Sequence, residues 1–264
     1  MRPTNLAASR PRGLRGRIAD QWPVVALVAL LAAAALLPKV LQDPAYHGFA
    51  DQRSWLGIPR AADVLSNLPF ALVGIFGIVR LTSRERPRFR IETERALWCI
   101  AVGLVGTAAG SAWYHLEPSD ASLVWDRLPL SVVFAGVVAA GLAQRFEGHA
   151  ARWGLPVLAV LGVASVAYWS MTGNLAPYLA FQGGGILALL CIIVLTRNAD
   201  DPFPWGWVIA WYALAKIAET ADGGVWDATR GLIAGHAIKH LFASMACAAA
   251  LWPLIAPRTP TRTN

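Results

Sequence analysis

Charge is scarce in this sequence. Only 15% of its 264 residues are Asp, Glu, Lys or Arg, against roughly 25% in a soluble globular domain, which argues against a soluble fold. Cysteine is scarce too. Cys99, Cys191 and Cys247 each lie inside an apolar run, with no CxxC or other paired spacing. Neither a disulfide framework nor a thiolate metal site is therefore supported. There is no low-complexity segment and no convincing internal repeat. The net charge of +7 does not point to nucleic acid, because the arginines cluster in loops between apolar runs. That pattern reads as membrane topology and contact with anionic lipid.

What is abundant is apolar. Hydrophobic residues make up 56% of the chain and the mean hydropathy is +0.47. The twelve tryptophans suit a protein whose indoles gather at bilayer interfaces. A spanning helix needs about 20 mostly apolar residues, and eight runs qualify: roughly 22–41, 64–82, 96–115, 125–144, 154–171, 177–196, 205–222 and 235–255. The fold class expected is an all-α, polytopic membrane helix bundle. Residues 21–257 form its single membrane domain, flanked by an arginine-rich tail over 1–20 and a short tail over 258–264. The first run lacks a clear cleavage site, so it reads as an uncleaved anchor. "RPRGLRGR", "RLTSRERPRFRIETER", "QRFEGHAARW" and "PRTPTR" are positive, whereas "HLEPSDASLVW" and "MTGNLAP" carry no Lys or Arg. The positive-inside rule places both termini in the cytoplasm, as an even number of spans requires. Gly106 and Gly110 have the small-xxx-small spacing of close helix packing.

With that topology the unusual polar residues share one depth near the outer face. Asp63, Ser66 and Asn67 begin the second run, and Ser111 and His115 end the third. Asp126 begins the fourth, and His236 and His240, in "GHAIKHLFA", begin the eighth. Ionisable groups at membrane depth are costly and mark function by default. Histidines at i and i+4 lie on one helix face about 6 Å apart, which suits two ligands of one metal. His115 supplies a third from another helix, and three protein ligands with an open position is the arrangement of a catalytic zinc. Two histidines on one helix face cannot reach opposite faces of a porphyrin, although His115 with one of them could. The pair is not HExxH, whose glutamate acts as base, since Ala237 follows His236. Asp126 is the candidate general base, against the plainer reading of a helix N-terminal aspartate that complements the dipole. Ser111 is either a catalytic donor or a helix serine bonded to its own backbone. Lys216 and Glu219 read as a mutually neutralising pair, and His47 and His149 as loop residues.

At these residues the chain resembles the alkaline ceramidases and their superfamily, which includes the adiponectin and progestin receptors; the bacterial ceramidase-like members look closest. The shared pattern is Ser-x3-His, an aspartate, then His-x3-His, here "GSAWYHL", "WDRLPL" and "GHAIKHL". "DVLSNLPF" resembles the family's first core helix through Ser66 and Asn67. The resemblance covers roughly residues 50–255 and implies a seven-helix core, with the first run as an extra N-terminal helix. It further implies a zinc-dependent hydrolase of a lipid amide, with a ceramide-like or other N-acyl lipid of the membrane as substrate. His115, His236 and His240 hold the metal, Asp126 moves the proton and Ser111 stabilises the oxyanion.

Two departures stand out. The family's acidic, calcium-binding N-terminal segment is here "FADQRSWLGIPRAAD", with only Asp51 and Asp63, and with Arg60 near where an acid is expected. A calcium site is therefore doubted. Lys239 stands before the last histidine, where the animal enzymes place an aromatic residue. The rival reading is a receptor or transporter whose zinc is structural, with Asp126 as fourth ligand. A metal-ion carrier needs further carboxylates or histidines along a path.

Overall fold

The computed structural model describes residues 22–36, 38–196 and 201–255. Both tails read from the sequence lie outside them. The described residues form α-helices, short 3-10 turns and loops, with one isolated β-bridge between Trp55 and Ile58. The helices are α1 (Trp22–Leu36), α2 (Ala61–Leu65), α3 (Leu68–Thr82), α4 (Ile91–Leu116), α5 (Asp120–Arg145), α6 (His149–Thr172), α7 (Ala176–Leu195), α8 (Trp205–Thr220), α9 (Asp222–Ala228) and α10 (Gly235–Ala250).

Five segments are long and apolar enough to cross a bilayer: Ala61–Thr82, Ile91–Leu116, Asp120–Arg145, His149–Thr172 and Ala176–Leu195. Three of the eight expected runs yield shorter helices. α1 has 15 residues, and α8 and α10 have 16 each. At 1.5 Å per residue these reach about 24 Å, short of the roughly 30 Å hydrocarbon core. The outward side chains belong to a membrane protein all the same. Leu72, Ile75, Val79, Val160, Leu187 and Val194 are all more than half exposed, a surface that water penalises and lipid does not. Exposed tryptophans mark both ends of the bundle: Trp113 and Trp125 where α4 meets α5, and Trp153, Trp207 and Trp252 at the opposite end.

The helix ends differ from the apolar windows for local reasons. α5 begins at Asp120, because Ser119 and Ser122 form a reciprocal capping box. Asp126 is thus the seventh residue of its helix, not the first, and lies past the turn where a carboxylate complements the dipole. The second run breaks at Ser66 and Asn67, ahead of Pro69 near the start of α3. The carbonyl of Asp63 is met by side chains at that break: Ser66 Oγ donates at 2.9 Å and Asn67 Nδ2 at 2.8 Å. The seventh run ends at Thr220 and restarts as α9.

α4 and α5 are antiparallel neighbours held close by small residues, as the GTAAG spacing predicts. A methyl at Gly106 would touch the Pro129 ring, and one at Gly110 would strike the Trp125 carbonyl. Gly110 thereby lets the start of α5, with Asp126, lie against the last turns of α4, with Ser111 and His115. The three cysteines are free.

Candidate metal centre

His115, His236 and His240 meet. Each offers one ring nitrogen, those nitrogens lie within 4.8 Å of one another, and all three residues are buried. The ring centroids are 4.9 Å apart for His115–His236 and His236–His240, and 5.1 Å for His115–His240. Metal–nitrogen bonds of about 2.0–2.1 Å can gather three such nitrogens on one ion with rotamer-scale adjustment.

The helices that carry these rings are pinned. α10 starts against the end of α8, where a methyl on Gly235 would collide with the Ala218 carbonyl. The Asp222 carboxylate accepts the His236 backbone N–H at 2.7 Å and that of Ala50 at 2.9 Å. It therefore caps α10 and ties the preceding loop to it. Arg60 holds the end of α4: its Nε donates to the His115 carbonyl at 2.7 Å and its Nη2 to that of Leu116 at 2.6 Å. Its backbone is left-handed, with φ 46°, a conformation rare outside glycine and retained where surrounding contacts enforce it. Phe49 covers the rings, with centroids 4.7 Å from His115 and 4.5 Å from His236.

Hydrogen bonding suits one tautomer of His240. Ser66 Oγ lies 2.7 Å from His240 Nδ1, and its single proton goes to the Asp63 carbonyl. The serine therefore accepts from Nδ1–H, which leaves the Nε2 lone pair of His240 free for a metal. This partner on the far nitrogen is the usual support of a ligating histidine. Three further atoms on two residues could serve a cation. His115 Nδ1 is buried without a partner, and both carboxylate oxygens of Asp63, in α2, are buried and unpartnered. A buried polar group without a partner costs about 1–3 kcal/mol, more when charged. A dication held here would supply the missing counter-charge.

Asp126 and Ser111 are not part of this group; Ser111 lies one helical turn before His115 in α4. Asp126 lines a cavity of about 370 Å³ and is half-buried. Its carboxylate is not among the ligand atoms that lie within 4.8 Å of one another. Buried Ser111 is within hydrogen-bonding reach of that carboxylate. Ser131, Ser165 and Ser244, by contrast, donate back to their own helices. The cavity lies in the range of small-molecule sites, roughly 300–1,000 Å³. Phe70, Val133, Phe134, Ile186 and Leu189 are among its apolar walls, and Asp126, Arg127, Glu219 and Lys239 among its polar ones. The histidines do not line it. Lys239 Nζ lies 3.5 Å from His236 Nε2, so this side chain links cavity to centre, while Asp126 adjoins Ser111 one turn before His115.

Several participants were not anticipated from the sequence. Glu219 does bind Lys216, and it also binds Lys239, at 2.7 Å, so the pair is part of a triad at the cavity. His47 is more than a loop residue: Nδ1 lies 2.9 Å from Tyr114 Oη and Nε2 3.2 Å from Asp120. His149 opens α6, away from the site. Asp51, in the covering loop, accepts Arg53 Nε at 2.9 Å and Nη2 at 2.6 Å, and this fork holds its carboxyl below the usual range. Comparison with protein-family models, curated proteins and solved structures finds no match.

Proposed function

We propose that the protein is an intramembrane zinc-dependent hydrolase that cleaves the amide of a ceramide-like or other N-acyl lipid. The observation that carries this reading is the three-histidine group, with the His240 tautomer set by Ser66, adjoining an acid at the wall of a lipid-accepting cavity. Three nitrogen ligands from two helices suit zinc and leave a position open to substrate, where structural zinc normally has four protein ligands. The pattern of Ser111, His115, Asp126, His236 and His240, which resembles the alkaline ceramidases, supports the same reading. Haem fits poorly, because the third imidazole lies against any pair that could flank a porphyrin.

When bound, zinc supplies Lewis acidity toward water and toward a carbonyl oxygen. The chain does the rest. The apolar cavity takes up the acyl chain and brings the amide toward Asp126. Asp126 accepts a proton from the attacking water and passes it to the leaving nitrogen, so that amide plus water gives a carboxylic acid and an amine. Such proton transfer is worth typically 10²–10⁴-fold. Ser111 donates toward the oxygen on which negative charge develops, and one donor of this kind is worth about 3–4 kcal/mol. Calcium has no part in this reading, since Arg53 occupies Asp51, backbone amides occupy Asp222, and Arg60 caps α4.

The test is hydrolysis of a panel of N-acyl lipids by purified protein of measured zinc content. Amine release that tracks zinc occupancy is expected. Stoichiometric zinc with no amide or ester of the panel cleaved leaves the receptor or transporter reading in its place.

We further place eight spans in the bilayer, with α1 outside a seven-helix core, in a bacterial inner membrane. The arginine-rich loops and both termini face the cytoplasm and the metal centre faces outward. A tag at either end is then protected from protease in intact cells. Cleavage of a C-terminal tag from outside overturns this count.

A further inference from the structure

Among the described residues, Arg127 is the cation at the cavity that no carboxylate pairs with, whereas Lys216 and Lys239 both bind Glu219. Arg127 follows Asp126 in α5, and only 4% of its surface is exposed. Its guanidinium is stacked among aromatic rings, 4.2 Å from the centroid of Trp169, 4.8 Å from Tyr178 and 5.6 Å from Tyr46. Nη2 donates to Gln42 Oε1 at 2.6 Å. Nη1 is buried and has no hydrogen-bond partner. Among the described residues no carboxylate pairs with Arg127 within ion-pair distance.

The contrast with Lys239, half-buried at the same cavity, is informative. Lys239 is neutralised by Glu219 at 2.7 Å, so the fold supplies a counter-ion where none is wanted from a ligand. Burying a guanidinium without one is costly unless something else meets it. Asp126 and Asp43 share the cavity wall with Arg127, but neither pairs with it. The rings and Gln42 fix the guanidinium plane, which limits the entropy lost when Nη1 engages a ligand.

We propose that Arg127 is a specificity site for an anionic group on the substrate, a carboxylate or phosphate carried close to the scissile amide. The inference rests on the N-acyl lipid reading for the amide and on Arg127 alone for the anion. Because Arg127 and Asp126 are adjacent in sequence and line one cavity, the anion belongs near the amide and not at the far end of the acyl chain. The preferred ligand is thus an acidic N-acyl lipid, such as an N-acyl amino acid or the phosphate ester of an N-acyl amino alcohol, in preference to a neutral one.

The experiment uses three ligands with one acyl chain: N-oleoylglycine, N-oleoylethanolamine phosphate and N-oleoylethanolamine. Binding to the full detergent-solubilised chain is measured by competition with a fluorescent acyl probe, and amine release is followed in parallel. One or both anionic ligands should bind roughly 10–100-fold more tightly than the neutral one, the range expected for hydrogen bonds to a charged group, and the arm that gains tells carboxylate from phosphate. Arg127→Gln should bring that ratio close to one, and Arg127→Lys should retain part of it, with zinc content unchanged in both. A general loss of structure lowers all three affinities together and leaves the ratio as it was. Equal binding of anionic and neutral ligands by the wild type, or a preference that survives in both variants, overturns the proposal. Preferential binding without amine release retains the anion site and rejects the hydrolase; equal cleavage of all three does the reverse.

Discussion

His240→Ala is expected to purify with less than about a tenth of the wild-type zinc and to lose measurable amide hydrolysis. The magnitude follows from its place in the centre. Removing even an outer partner of a ligand typically costs 10–100-fold in metal affinity, and His240 is one of the three proposed ligands. Its Nδ1–H is held by Ser66 at 2.7 Å, so its Nε2 is the nitrogen presented to the ion. Ser66→Ala is the milder companion: it keeps the imidazole, releases the tautomer, and should weaken zinc by roughly 10–100-fold. The competing view, that these are ordinary core histidines, makes a different prediction. An ion that binds the folded chain raises its stability in proportion to the logarithm of saturation. A strong chelator should therefore lower the wild-type melting temperature toward that of His240→Ala and leave the variant unmoved. Zinc retained by His240→Ala would remove this residue from the ligand set. A haem absorbance band without zinc would replace the centre altogether.

Much of this centre is legible in the sequence because membrane burial makes polar residues conspicuous. The i, i+4 spacing of His236 and His240 specifies a shared helix face, and the arginine-free loops place His115 and Asp126 at the same end. Side-chain partners are harder to read, because they depend on where helices stop. An apolar window starts α5 at Trp125, whereas Ser119 and Ser122 cap it six residues before Asp126, and that shift removes the dipole explanation for the acid. The break after Ser66 is signalled by Pro69, yet only the folded turn shows that the serine proton is committed to Asp63 and its lone pair to His240. Asp222 ends the seventh apolar run, 14 positions from the backbone N–H it caps, and nothing in the sequence links the two. Arg127 carries no signal of its own in the sequence, since nothing in "WDRLPL" reveals that Trp169 and Tyr178 enclose it. The short helices α1, α8 and α10 arise in the same way, because polar or helix-breaking residues end them before hydropathy falls.

Asp126→Asn should keep its zinc and its fold and lose hydrolysis by roughly 10²-fold or more. Asparagine preserves the shape of the side chain and can still accept from Ser111, but it cannot take the proton of water at neutral pH. The geometry favours this outcome over the structural-metal rival. The Asp126 carboxylate lies outside the group of nitrogens that converge within 4.8 Å, and it lines instead the adjoining cavity of about 370 Å³. If Asp126 were a fourth ligand, its amide would bind zinc poorly, and metal and melting temperature would fall together, since metal-binding free energy is folding free energy at such a site. Zinc occupancy, melting temperature and single-turnover amine release measured on one preparation separate the cases. Single-turnover conditions report the chemical step itself, so slow product release from the membrane cannot mask the loss. Ser111→Ala should fall between the wild type and Asp126→Asn, because it removes one donor and leaves the base in place. Retained zinc with undiminished single-turnover hydrolysis in Asp126→Asn takes the acid out of both roles and directs attention to the unpartnered carboxylate of Asp63.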